Sequence, residues 1–183
     1  MVIAHEQYDL ADTIDKELYS MSNIWRYSGR LIQRPENLAE HCFYVAFKVY
    51  ELGQKYKISE DKVAKAAKIA LCHDCGEIYT GDLPHSLKVF SPTIKQLSEE
   101  LEVNLIEEHF PVFAEDFKDF VNDSDPIVTT LVLLADVIDV IMFIDREESL
   151  GNRDPDILKI RAESSERYIK LIEKLKGEIN GKV

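Results

Sequence analysis

The stretch IVTTLVLLADVIDVIMFI, residues 127–144, decides the fold class. It is apolar nearly all round, the pattern of a helix enclosed on every side and therefore central to a helical core. Its only acids, Asp136 and Asp139, lie one turn apart inside that apolar surface. Pro126 stands just before it, where proline suits the first turn of a helix. Outward from this segment, helical spacing recurs. Tyr8, Ala11, Ile14 and Leu18 mark a helix over roughly 5–20. Pro35-Glu36-Asn37 opens a helix near 36–56, with Leu38, Cys42, Val45, Val49 and Leu52 on one face and Gly53 near its end. Ser59 is a good N-cap for a helix that runs to about Asp74 through Val63, Ala66, Ala67 and Ala70; Lys62 stands where a full capping box has Glu. Gly81-Asp82-Leu83-Pro84 reads as a loop. Pro92 suits the start of a helix through about His109, a short helix fits 111–121, and Pro155 opens a last helix to about Lys176. Strand patterns are absent. The expectation is an all-α bundle forming one domain over 1–183.

A chain of 183 residues can bury a sizeable core, and 45% hydrophobic with 31% charged residues is ordinary for a soluble globular protein. The net charge of −12 argues against a general nucleic-acid-binding surface, while a few basic side chains could still make a local pocket for a small anion. No apolar run of about 18 or more residues is present, so no membrane span is expected. The start, MVIAHEQYDLADTID, is acidic early and lacks a signal-peptide pattern. The three cysteines read as reduced thiols, which points to the cytoplasm.

Three places put ionisable groups where the pattern demands core: His41 in AEHCFYVAF, His73-Asp74 after Ile69-Ala70-Leu71, and Asp136. An unpaired charge in a core costs several kcal/mol or more, so three such sites in one helical domain are expected to meet. Two His and two Asp offer a nitrogen and oxygen shell for a divalent ion, and an octahedral ion would keep two positions for water or substrate. Each site also has an ordinary explanation: a hydrogen-bonded core histidine, a helix-end capping pair, an aspartate satisfied by a nearby arginine. With these residues 32 and 62 positions apart, spacing alone does not choose.

Arg26, the run ENLAEH ending at His41, the string HDCGEIYTGDLPHSLK from His73, and Ala135-Asp136 together carry a resemblance. The chain resembles the HD-domain metal-dependent phosphohydrolases, and within them the bacterial 5'-deoxynucleotidases, over roughly residues 24–145. HDxxExxTGDLP is a far more specific string than a bare His-Asp. The resemblance implies an HD-type helical fold with His41, His73, Asp74 and Asp136 as ligands of one divalent ion (Co, Mn, Mg, Zn, Ni or Fe). Asp139 is the internal rival. Asp136 is preferred because the family's ligand follows a small residue, as Asp136 follows Ala135; Asp139 would then orient a ligand histidine.

Phosphate monoester hydrolysis needs an in-line water and neutralised phosphoryl oxygens. Glu77 follows Asp74 by three residues, so a continuing helix would set both on nearly one face. The resemblance gives Glu77 the water-positioning role and makes Asp74 and Glu77 catalytic; a solvated surface acid is the plain alternative. Candidate phosphate cations are Arg26, Arg30, Arg34 and Lys88, and arginine suits bidentate recognition of phosphate. The resemblance selects Arg26, 15 residues before His41. Arg34 has Glu36 or Glu40 as ordinary partners. Thr80 and Asp82 lie in the following loop, and the resemblance implies that Asp82 contacts the 3'-hydroxyl of a deoxynucleoside, where a turn aspartate capping backbone N–H groups is the alternative.

Two departures stand out. The resembled enzymes have Trp directly after the phosphate arginine, where its bulk excludes a 2'-hydroxyl; here Tyr27 fills that place and Trp25 precedes Arg26. Deoxy-versus-ribo selectivity is therefore open. His85-Ser86 replaces a more apolar pair. Cys72 and Cys75 form a CxxC that reads as packing around the pocket rather than a redox pair or half a zinc site. The expected reaction is release of inorganic phosphate from (deoxy)nucleoside monophosphates, by a homodimer as is usual in that family. Release of triphosphate from a deoxynucleoside triphosphate is the rival, drawing on Arg30, Arg34 and Lys88. A silent binding module is disfavoured, since neither Glu77 nor any ligand is lost.

Overall fold

The computed structural model describes residues 15–82, 87 and 90–181. In chain order these form α1 (Asp15–Ser20), a 3-10 turn (Met21–Asn23), α2 (Leu38–Tyr56), α3 (Glu60–Cys72), α4 (Glu77–Thr80), α5 (Pro92–His109), α6 (Pro111–Val121), α7 (Pro126–Ser149) and α8 (Pro155–Ile179). The all-α expectation holds: among the described residues there is no strand, and one isolated bridge pairs Trp25 with Asn37. Most of the helix expected over 5–20, together with His85, Ser86 and Lys88, lies outside the described residues.

Local chemistry sets the helix starts. The side chains of Asn37, Ser91, Asp125 and Asp154 accept hydrogen bonds from backbone N–H groups of the first turns of α2, α5, α7 and α8. Proline opens α5, α6, α7 and α8, where its missing N–H has no helical partner to lose. Two expectations are corrected. Ser59 holds the N-cap position of α3 without a side-chain bond, and α3 stops at Cys72, two residues short of Asp74.

The core forms around α7. Val128, Leu131, Val132, Leu134 and Ala135 pack with Val45, Val49 and Leu52 of α2, with Val63, Ala66, Ala67, Ile69 and Ala70 of α3, and with Leu175 of α8. Burying a leucine such as Leu131 or Leu134 stabilises by roughly 1.5–3 kcal/mol relative to leaving it exposed. By length and composition alone, α7 could cross a bilayer, contrary to the expectation that no such run exists; here it is the core helix, wrapped by α2, α3 and α8. At the crossing of α2 and α3, a Cβ on Gly53 would run into Val63 Cγ2, so glycine is what permits that approach. A second cluster joins Leu38, Cys42, Cys72 and Cys75 to Ile106, Phe110 and Phe117. A third joins Phe143, Ile144 and Ile157, with Tyr27 and Ile32 against it. Packing α2, α3 and α7 side by side brings the first turn of α2, the end of α3 and the middle of α7 to one place.

Candidate functional site

His41 lies at that place, fully buried. Its Nδ1 is 2.7 Å from Asp139 Oδ2. Its Nε2 is 3.3 Å from His73 Nε2, 3.5 Å from Asp74 Oδ2 and 3.7 Å from Asp136 Oδ1. His73 directs Nδ1 at the carbonyl of Ala70, 2.8 Å away. A carbonyl and a carboxylate only accept, so both rings carry a proton on Nδ1 and, when neutral, a lone pair on Nε2. His41 Nε2, His73 Nε2 and an Asp74 oxygen lie within 4.8 Å of one another, and Asp136 joins them through His41. Such a set is repulsive unless a cation lies among its members, and its two nitrogens and two carboxylates suit a divalent metal. Asp139 touches the far side of His41, where it sets the tautomer; Glu36, His41 and Asp139 form a second acidic group there.

With no ion present, the neighbouring charges act on the same groups. Burial opposes ionisation of Asp74, yet His73, His41 and Arg26 outweigh it and hold its carboxyl well below the usual range. Burial and Arg26 work against a charge on His41, but bonds to Asp139 and Asp74 win and push its pKa up. Glu36 is pushed up to about 7, by burial first and then by Asp139, against the pull of Arg26, His41 and Arg146.

Arg26 enters from the loop between the 3-10 turn and α2. Its backbone N–H donates to the Glu36 carbonyl at 3.0 Å, and Leu38 N–H donates to the Ile24 carbonyl at 2.9 Å, which closes the loop at its base. The guanidinium reaches Asp74 Oδ2 at 3.4 Å and Glu36 Oε2 at 3.8 Å. Tyr27 takes a left-handed φ of 59°. Its amide donates to Asp82 Oδ2 at 2.9 Å, and its ring stacks on Phe143 with centroids 4.4 Å apart. Asp82 thus fastens the loop after α4 to the loop that bears Arg26.

Other expected residues fall differently. Glu77 is the buried first residue of α4, and its N–H donates to the Asp74 carbonyl at 2.9 Å. A turn over residues 73–76 separates it from α3, so the continuing helix expected through Asp74 is replaced by two helices and a bend. Thr80 donates its hydroxyl to the Gly81 carbonyl at 3.1 Å. Arg30 pairs with Asp156. Glu36, an expected partner of Arg34, faces Arg26 and Arg146 instead. Asp136 does meet an arginine, Arg167, at 3.4 Å, on the oxygen turned away from His41. The three cysteines are free and buried, and burial pushes the Cys75 thiol up to about 12. The sequence reading passed over Phe143, Arg146 and Glu147. The signal was present: Phe143 and Glu147 follow Asp139 by four and eight residues, on the same stripe of α7.

Residues 16–176 match the family model for YfbR-like 5'-deoxynucleotidases. The chain belongs to this family. A 5'-deoxynucleotidase of Photorhabdus temperata is 30% identical over 141 residues, 72% of each chain. One of Pasteurella multocida is 41% identical over 91 residues, and this chain spans about half of that relative's length, 46%. Among solved structures, a protein of Pyrococcus horikoshii aligns with a TM-score of 0.73 at 26% identity, covering 92% of this chain and 95% of that one. An HD phosphohydrolase of cyanophage S-2L, bound to dA and one catalytic Zn2+ ion, shares the fold with a TM-score of 0.71 at 21% identity, over 90% of this chain and 93% of that one.

Proposed function

We propose that this YfbR-like family member is a metal-dependent phosphohydrolase that removes the 5'-phosphate from (deoxy)nucleoside monophosphates. The observation that carries the reading is the convergence of His41 Nε2, His73 Nε2 and Asp74, with Asp136 beside His41, a nitrogen and oxygen donor set that suits one divalent cation. These four residues would hold one divalent ion, of the Co, Mn, Mg, Zn, Ni or Fe type. When bound, it supplies Lewis acidity to the phosphoryl oxygens. Arg26, beside Asp74, presents a guanidinium for two phosphoryl oxygens. Glu77 receives a proton from the attacking water. Net, the water oxygen joins phosphorus, the P–O5' bond breaks, and a proton ends on O5'. Tyr27, Thr80 and Asp82 are assigned to the sugar, and Lys88, which lies outside the described residues, is assigned to the phosphate.

The ion pair of Arg30 with Asp156 favours a monophosphate, because it occupies a cation that a triphosphate would draw on. The whole chain, 1–183, is taken as one HD-type domain, cytoplasmic and homodimeric, acting on a small nucleotide and not on nucleic acid or a membrane. The test is a metal-stripped sample given Mn, Co, Mg or Zn and a panel of deoxy- and ribonucleoside mono- and triphosphates. Metal-dependent phosphate release from monophosphates, lost in Asp74→Ala and Glu77→Ala, supports the reading. Release of triphosphate replaces it with the triphosphohydrolase, and no turnover with any metal overturns it.

A further inference from the structure

Glu147 lies near the end of α7, fully buried, far along the helix from the acceptors around His41. Its carboxylate faces three N–H donors. Oε2 accepts from the backbone of Gln33 at 2.6 Å and from the Asn152 side chain at 2.8 Å; Oε1 accepts from the backbone of Arg34 at 2.9 Å. Asn152, also buried, donates to the Leu31 carbonyl at 2.8 Å, and its Oδ1 accepts from the Asp154 backbone at 3.0 Å. A carboxylate is suited to this post because it only accepts; an amide would turn an NH2 toward one of the donors. The far end of the 25–37 loop is thereby fastened to the junction of α7 and α8.

The near end of the same loop carries Arg26 and Tyr27. A bulky residue with φ near 59° stores about 1–3 kcal/mol of strain and persists only where its surroundings hold it. Asp82 holds the Tyr27 amide and Phe143 holds its ring. Phe143 is one turn before Glu147, so one stripe of α7 orients His41 through Asp139, supports Tyr27 through Phe143 and anchors the loop through Glu147.

We propose that Glu147, seated by Asn152, is a positioning residue for Arg26: it fixes the loop so that Tyr27 keeps its left-handed turn and the guanidinium stays beside Asp74. This rests on the reading of Arg26 as the phosphate cation. Without the anchor, Asp82 and Phe143 alone hold Tyr27, so its left-handed turn loosens and Arg26 strays from Asp74, while the groups around His41 stay put.

The test compares wild type, Glu147→Ala and the milder Asn152→Ala, all loaded with Co2+. Amide exchange at Tyr27, the affinity for inorganic phosphate, the Co2+ affinity, and KM and kcat are measured. In Glu147→Ala, Tyr27 exchange should quicken, and KM and the phosphate Kd should each rise about tenfold, with kcat and Co2+ affinity within roughly twofold. Asn152→Ala should move the same quantities less. A merely structural role would lower Tm without this split. A folded Glu147→Ala with the Tyr27 amide and phosphate affinity of wild type overturns the proposal; if that variant does not fold, the same result in Asn152→Ala does so. Absence of turnover in wild type would count against the nucleotidase reading, and Tyr27 exchange would still decide this one.

Discussion

Asp139→Asn should weaken divalent-metal binding without removing a ligand. His41 Nδ1 and Asp139 Oδ2 are 2.7 Å apart and almost wholly shielded from water. A hydrogen bond to a charged partner in such a setting contributes about 1.5–3 kcal/mol. With 1.4 kcal/mol per factor of ten, that is about 10- to 100-fold in affinity, the usual range for a group that orients a ligand histidine. Asparagine keeps the shape and loses the charge. If its NH2 turns toward His41, the ring must move its proton to Nε2, and an N–H then points at His73 and Asp74. The assay is calorimetric titration of Co2+ into metal-stripped wild type and variant, with circular dichroism to verify the fold. An affinity within about twofold of wild type would refute the reasoning. Complete loss of binding, with Asp136→Asn only mildly affected, would exchange the roles of the two aspartates.

Metal removal should lower Tm, and adding Co2+ at a hundredfold excess over Kd should restore about 2.7 kcal/mol, or roughly 5–10 °C, read by thermal unfolding. Gly53→Ala drives a Cβ into Val63 and should cost about 1–3 kcal/mol, seen as a Tm lower by several degrees with metal affinity unchanged. Burial opposes the charge on Glu147, but bonds from Asn152, Gln33 and Arg34 outweigh it and hold its pKa below the ordinary value of 4.5. The unfolded chain therefore takes up that proton first as acid is added, and the stability Glu147 brings, present above about pH 4.5, is lost below it. Thermal unfolding from pH 6 to 3.5 should show a steeper loss in wild type than in Glu147→Gln.

The helices were legible because their signals are local. The apolar run 127–144 does belong to the core helix, and the prolines at 92, 126 and 155 do stand at helix starts. The break after Cys72 was not legible, since HDCG carries no proline and helical spacing runs straight into it. At the candidate site, residue types told which groups needed a partner, and the structure brings His41, His73, Asp74 and Asp136 together. Periodicity could not say that Asp136 and Asp139 take opposite nitrogens of one imidazole, because that depends on how α2 crosses α7. Nor could it pair Glu147 with Gln33 and Arg34, which lie more than 110 positions away in the chain.

The most direct measurement is anomalous diffraction from crystals soaked in Mn2+. The account predicts one peak about 2.0–2.3 Å from His41 Nε2, His73 Nε2 and oxygens of Asp74 and Asp136. A peak among Glu36, Asp139 and the opposite nitrogen of His41, or no peak at all, would contradict it.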